Sequence, residues 1–297
     1  MKKIVIITGF TGTGKTDLAV KIAKEYNGEV ISADSVQIYR QLNIGSAKVT
    51  KEEKQGVPHH LIDIKDFTEN YNVGEFVQDC MNCVNQIVSK GKLPIICGGT
   101  GLYIKALLEG FTLGSSADQE FRQKYTQLAQ EKGNQYVWDL LNNIAPNKAQ
   151  EVHPNNVKRV IRYLELAINN VKAERAESSP LKDFDICCVG LIADRQEIYA
   201  KLNKRVDIML DAGLEQEVKN LVNQGATANM QAFNSIDYRE WFDYFAGKQS
   251  KEKTIELIKQ HNRNYCKRQL TFLKTIDGIK LLSKQDAEKE IKGFLND

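Results

Sequence analysis

The sequence predicts an α/β fold: a parallel sheet around a phosphate loop, flanked by helices, with an all-helical domain inserted into it. Three observations predict it. Short apolar runs alternate with helical patterns through the first third of the 297 residues, strand signals vanish over the middle, and a glycine-rich loop joins the first apolar run to the first helical one. Residues 4–7 read as a strand, and residues 17–26 as a helix with Leu18 and Ile22 on one face. A second strand is expected at 29–33. Helix 74–90 then carries Phe76, Val77, Cys80, Val84, Ile87 and Val88 on one side, and a third strand follows at 93–97. Polar helices are expected at 120–132 and 137–142. After Pro154, Val157, Val160, Ile161, Leu164 and Ile168 fall at i, i+3, i+4, i+7 and i+11, one helical stripe. An apolar strand returns at 186–192, and helices close the chain at 197–212, 215–223 and about 254–275. The expected organisation is a first core segment at 1–112, an inserted all-helical domain at 113–187, and a second core segment at 188–297 with a basic C-terminal helix.

Composition narrows the function classes. Hydrophobic residues at 42% and charged residues at 27% exclude a disordered or low-complexity chain. The formal charge of +3 neither demands nor excludes a nucleic-acid partner, so clustering of the cations decides. No apolar run reaches the roughly 18–20 residues of a membrane span, and the apolar start ends at Thr8-Gly9, too soon for a signal core. A cytoplasmic protein that does not engage a membrane is expected. The cysteines are Cys80, Cys83, Cys97, Cys187, Cys188 and Cys266. Cys80 and Cys83 have C-x-x-C spacing, but no second pair completes a zinc site, so packing is the expected role.

Gly9-Phe10-Thr11-Gly12-Thr13-Gly14-Lys15-Thr16 satisfies G-x-x-x-x-G-K-[ST], after a strand and at the start of a helix. Glycines let backbone N–H groups converge on a phosphate, and the helix N-terminus adds partial positive charge. Lys15 is placed to reach the outer phosphate and the Thr16 hydroxyl to ligate Mg²⁺. The pattern alone leaves the phosphate's owner open, with ATP as the default. No apolar strand ends in the acidic residue of an ordinary Walker B motif, and Asp194 reads as a helix cap. Asp34 follows the second strand, at the carboxyl end where ligands of doubly wound sheets bind. It is read as a general base or a water-mediated Mg²⁺ partner, with a turn-forming aspartate as the alternative.

From Asp34 onward the residues carry a family resemblance. The stretch 29–40, then Ile44-Gly45-Ser46-Ala47-Lys48, Val57-Pro58-His59-His60-Leu61-Ile62-Asp63, Gly98-Gly99-Thr100-Gly101-Leu102-Tyr103-Ile104, Lys158-Arg159-Val160-Ile161-Arg162, Lys204-Arg205-Val206-Asp207 and Tyr265-Cys266-Lys267-Arg268-Gln269 resemble, in order, the motifs of tRNA dimethylallyltransferases. The resemblance implies transfer of a dimethylallyl group from its diphosphate to N6 of adenosine 37, in the tRNA anticodon loop. Gly9, Thr11, Gly12, Thr13, Gly14, Lys15 and Thr16 would then hold the donor diphosphate, with Mg²⁺ as cofactor on Thr16. Asp34 would take the N6 proton, Thr100 would contact the reacting region, and Arg205 with Lys15 would stabilise the leaving diphosphate. The implied tRNA contacts are Asp34, Ser35, Val36, Gln37, Thr100, Arg122, Lys158, Arg159, Arg162, Arg263, Lys267 and Arg268. The chain departs from the family pattern at Phe10, Val36, Asn155-Asn156, Asp237, Arg239 and Phe272. His59 and His60 are expected to position a loop, and Tyr39 and Tyr103 either flank the channel or pack.

Base recognition in a loop requires cations beside single-stranded RNA. Lys158, Arg159 and Arg162 lie off the apolar stripe, and Lys259, Arg263 and Lys267 recur every four residues, with no acid between 258 and 274. These patches argue against an adenylate isopentenyltransferase using free AMP; a P-loop small-molecule kinase, separable by nucleotide affinity, and an RNA-binding protein without catalysis, separable by the lack of product, are the other rivals. A monomer is expected.

Overall fold

The computed structural model describes residues 2–110, 118–169 and 178–297. Its six strands are β1 (Lys2–Gly9), β2 (Gly28–Ser32), β3 (His59–His60), β4 (Leu93–Cys97), β5 (Phe184–Leu191) and β6 (Lys280–Leu282). They form one parallel sheet in the order β3-β2-β4-β1-β5-β6. The two-residue β3 and three-residue β6 are too short to leave an apolar run, and the sequence pattern does not reveal them.

Side chains alternate across β1, so the sheet has two cores. Val5 and Ile7 pack with Val30, Ile95 and Val189 against Leu18 and Ile22 of α1 (Lys15–Glu25). Ala287 and Ile291 of a C-terminal helix join that face. Ile4 and Ile6 face the other way, onto Phe76, Cys80, Val84 and Ile87 of α3 (Val73–Ser89), which follows the short α2 (Lys51–Lys54). Burial on both faces explains why the strands read as continuous apolar runs. Cys80 packs in this core, where burial raises its thiol pKa above the ordinary value.

Further helices are α4 (Gly101–Glu109), α9 (Arg195–Asp211), α10 (Leu214–Asn223), α11 (Glu240–Phe245), α12 (Lys251–Leu273) and α13 (Lys284–Asn296). The last is absent from the expected element order because mainly Ala287, Ile291 and Phe294 mark its inner face. Asp194 caps α9 as expected, its Oδ1 accepting the Gln196 and Glu197 N–H groups at 2.8 and 3.2 Å.

The chain divides into two compact units, Met1–Glu109 with Ser178–Asp297, and Gly110–Glu177. The second unit contains α5 (Gln119–Lys132), α6 (Asn134–Ile144), α7 (Pro146–Gln150) and α8 (Val157–Ile168) around Val137, Leu141, Val160, Ile161 and Leu164. Ile168, the last residue of the expected stripe, is instead 42% exposed. The boundary expected at 187 moves back, because Phe184 to Leu191 pair along β1 from Lys2 to Gly9 and so belong to the sheet. The boundary expected at 113 lies outside the described residues. Among the described residues no helix is long and apolar enough to cross a membrane.

An ionic cluster anchors the amino end of the sheet. Glu29 of β2 is 3% exposed at its side chain and accepts from Lys92 Nζ at 2.7 Å, with His60 Nε2 2.7 Å and Lys90 Nζ 3.5 Å away. Burial alone would raise its pKa, but the Lys92 and His60 hydrogen bonds and the Lys90 charge hold it at about 2. A depressed carboxylate stabilises the fold above its unfolded value of 4.5, and that stability is lost as pH falls through 2. The shift corresponds to about 3 kcal/mol. In urea unfolding, Glu29→Gln is expected to be less stable than the parent by that order at pH 7, with the gap closing between pH 4.5 and 2. A constant gap would place the stabilisation elsewhere.

Candidate active site

The phosphate loop turns at the carboxyl end of β1. Gly9, Gly12 and Gly14 adopt φ of 138°, 87° and 82°, which side chains disfavour. Gly9 lines neither neighbouring cavity and serves the turn itself. Phe10 is buried against Ile198, Leu202 and Cys266, which pins the loop to α9 and α12. The Phe10 carbonyl accepts from Thr13 Oγ1 at 2.8 Å and from Lys15 Nζ at 3.0 Å. Thr13 thus spends its hydroxyl on the loop, leaving its backbone for a ligand. Burial lowers the Lys15 pKa, opposed by Cys97 and Asp34 and reinforced by Arg205.

Asp34 stands two residues beyond β2. Its Oδ1 accepts the Val36 and Gln37 N–H groups at 2.8 and 3.2 Å, so it forms a turn. Oδ2 has no hydrogen bond among the described residues, and the residue lines both cavities described below. Thr100 Oγ1 accepts the Ser35 N–H at 3.0 Å and lies 3.3 Å from Ser35 Oγ, tying the turn to the segment after β4. That segment lies so close that a Cβ on Gly98 would sit 2.2 Å from the Ala33 carbonyl oxygen. Gln37 Nε2 donates to the Ala47 carbonyl at 3.2 Å and braces the neighbouring loop.

The opposite wall comes from α9, α12 and the segment 231–239. Gln269 Nε2 donates to the Gly99 carbonyl at 2.8 Å. Gln269 Oε1 and Arg205 Nε are buried without a protein partner among the described residues. Buried polar atoms are rarely left so, and here both belong to residues of the cavity wall. Glu217 of α10 holds the loop beside Asp34: it accepts from the backbone N–H groups of Asn43, Ile44 and Gly45 and, at 2.6 Å, from the Tyr238 hydroxyl. Tyr238 Oη in turn accepts the Ser46 N–H at 3.2 Å.

Two cavities meet at this point, of about 470 and 270 Å³. Both are lined by Thr11, Lys15, Asp34, Ser46, Gly99 and Arg205. The larger adds Ser35, Val36, Thr100, Tyr265, Arg268 and Asp237, and the smaller Gly12, Gly14, Thr16 and Gln37. Cations and a carboxylate therefore share one waist. Thr16 and Asp34 line the smaller cavity with Ser32, Asp17 and Glu53 and could offer oxygen ligands to Mg²⁺, while no group of three His, Cys, Asp or Glu that could hold a metal exists among the described residues. Such a sparse donor set fits a cation that keeps waters and takes its other ligands from a substrate diphosphate. Tyr39 and Tyr103 line neither cavity and are buried, so they pack.

The expected tRNA contacts fare unequally. In the helical unit Arg122 and Arg162 both bind Glu165, which is 1% exposed: Arg122 Nη2 and Arg162 Nη1 each donate to Oε2 at 2.8 Å. Lys158 and Arg159 are exposed, with Arg159 stacked 5.2 Å above the Tyr163 ring. On α12 the expected cationic line is broken, because Lys259 pairs with Asp207 and Arg263 donates to Asn203 Oδ1 at 2.8 Å. Lys267 and Arg268 remain exposed, and Arg268 lies over the Tyr265 ring and lines the larger cavity.

A family model described as IPP transferase matches residues 37–276. The chain belongs to the IPP transferase family. A tRNA dimethylallyltransferase of Alkaliphilus oremlandii is 43% identical over 282 residues, spanning 94% of this chain and 90% of its own. One from Enterococcus faecalis is 44% identical, spanning 92% and 89%. Among solved structures, the full-length tRNA isopentenylpyrophosphate transferase of Bacillus halodurans is 38% identical with a TM-score of 0.75, covering 100% of this chain and 96% of its own. A eukaryotic dimethylallyltransferase acting on tRNA is 28% identical with the same TM-score, covering 96% and 74%. The parallel sheet and its flanking helices thus match those of the solved tRNA isopentenylpyrophosphate transferase structure. The sequence motif Tyr265–Gln269 carries no expected site role for Tyr265 or Gln269, and Asn262 lies outside it; the three share the inner face of α12. Asn262, Tyr265 and Gln269, at i, i+3 and i+7, are polar residues on a face that also buries Ile258, Cys266 and Leu273. Polar residues at helical period on a buried face are the signal that would have marked them.

Proposed function

We propose that the protein transfers the dimethylallyl group of dimethylallyl diphosphate to N6 of adenosine 37 in the tRNA anticodon loop, releasing diphosphate. The observation that carries the reading is the shared waist of the two cavities, where the phosphate loop, Lys15 and Arg205 meet Asp34. Adenine N6 is a weak nucleophile because its lone pair is delocalised into the ring. The donor must therefore lose diphosphate easily. Loop N–H groups, Lys15 and Arg205 stabilise the charge that develops on the bridging oxygen as the C–O bond breaks. Thr16 would hold a bound Mg²⁺, which would supply Lewis-acid stabilisation of that charge. Asp34 Oδ2 accepts the N6 proton as N6 bonds to the allylic carbon. Thr100, through Ser35, keeps the Asp34 turn in register. Lys158, Arg159, Lys267 and Arg268 offer exposed charge to RNA phosphates, whereas Arg122, Arg162 and Arg263 act first within the protein's own ion pairs and hydrogen bonds. Every residue of both cavities lies in the unit Met1–Glu109 with Ser178–Asp297.

Incubation with Mg²⁺, dimethylallyl diphosphate and unmodified tRNA, followed by nucleoside mass analysis, is expected to yield adenosine heavier by one C5H8 unit. Parallel reactions with AMP as acceptor and ATP as donor are expected to yield nothing. Product on AMP alone, or phosphoryl transfer from ATP, would overturn the reading.

A further inference from the structure

We propose that Asp237 links a proton to donor binding: its carboxylate, set in the larger cavity's wall beside Arg205, repels the diphosphate when ionised and ceases to when protonated. The inference rests on the diphosphate reading above and names a residue to which that chemistry assigns no step.

Asp237 is an unusual occupant of its position. Its φ is 77°, in the left-handed region that favours glycine, and its side chain is buried with the residue 5% exposed. The backbone N–H donates to Glu240 Oε2 at 3.1 Å, which closes the turn. Oδ1 accepts from Asn262 Nδ2 at 2.6 Å. No cation hydrogen-bonds to the carboxylate among the described residues, and Oδ2 accepts no hydrogen bond there. The charged groups around it are distributed over three elements. Arg205 faces it from α9 and is the charge that most favours its ionised form. Glu240 of α11 opposes ionisation, and Arg239 favours it weakly. Glu240 is itself engaged by Arg239 Nε at 2.9 Å and by His261 Nδ1 of α12 at 2.6 Å. Burial outweighs the favourable contacts and pushes the Asp237 carboxyl up to about 6. Ionised and neutral forms therefore exchange just below neutral pH.

Arg205 and Asp237 line the same cavity, and Arg205 also lines the one formed by the phosphate loop. A diphosphate drawn to Arg205 brings negative charge toward a carboxylate with little solvent to screen it, which raises that carboxylate's proton affinity. Linkage is reciprocal: protonation of Asp237 must then tighten the diphosphate by the same factor. Donor affinity through this group increases as pH falls through about 6 and is lowest where Asp237 is fully ionised.

The test is calorimetric titration of dimethylallyl diphosphate with Mg²⁺ into the intact protein, Asp237→Asn and Asp237→Gly, from pH 5.5 to 8. Both replacements accept left-handed backbone, and the asparagine oxygen still accepts from Asn262. Titration of the donor and of Lys15 is common to all three proteins, so the comparison isolates Asp237. If the donor raises the Asp237 pKa by about one unit, the ratio of the intact protein's Kd to that of either variant rises about tenfold from low to high pH. The intact protein also takes up more protons on binding near pH 7, read from the dependence of the heat on buffer ionisation. Parallel pH profiles in intact protein and variants would overturn the proposal and leave the diphosphate site standing. Absence of donor binding to the intact protein at every pH would overturn the diphosphate reading as well.

Discussion

Asp34→Asn is expected to lower turnover about 10²–10⁴-fold, the range for removing a general base. The substitution is informative because the structure separates the residue's two tasks. Oδ1 holds the Val36 and Gln37 N–H groups, and an asparagine oxygen keeps both bonds. Oδ2 is the oxygen left for the substrate proton, and an amide nitrogen there cannot accept it. Asp34→Ala removes both tasks and should also disturb the turn that Thr100 ties down through Ser35. A large loss of kcat in Asp34→Asn with tRNA affinity within a few-fold would support the base. Near-parental turnover in Asp34→Asn, with a defect only in Asp34→Ala, would reduce Asp34 to a turn-former.

Lys15→Met should have an effect of similar size, about 10²–10³-fold in kcat, comparable with removing one preorganised donor from a developing anion. The loop itself should survive. The Phe10 carbonyl that Lys15 contacts also accepts from Thr13 Oγ1, and Phe10 stays anchored against Ile198 and Leu202. An unchanged melting temperature with a collapsed kcat is the expected pair of measurements. A variant that retains turnover would show that Arg205 and the backbone suffice, and would remove Lys15 from the chemistry.

The arginines of the helical unit show why a charge pattern is a weaker guide than a loop motif. Arg162 lies off the apolar stripe, as a residue meant for RNA would, and Arg122 is a tRNA contact implied by the family resemblance. Both nevertheless point at Glu165, a buried acid whose position on α8 places it among the apolar residues Leu164 and Leu166. An ion pair joining α5 to α8 depends on how two helices pack, and nothing local to either segment announces it. The same holds for Lys259 and Arg263, which are engaged by Asp207 and Asn203 of α9.

By itself the sequence determined whatever depends on neighbours along the chain. Gly9 to Thr16 specify an anion cradle because contiguous backbone groups do the binding, and β1, β4 and β5 announce burial on both faces through unbroken apolar runs. The ordered motifs likewise carried the family and the residues Asp34, Thr100 and Arg205. Tertiary structure alone decided which cations remain exposed, that Gln269 and Arg205 bring unpartnered polar atoms into one wall, and that Asp237 shares a cavity with Arg205. Charge and burial act through space: residues 203 positions apart, such as Asp34 and Asp237, acquire a common environment only when the sheet's carboxyl end and the helices beside it close around the same volume.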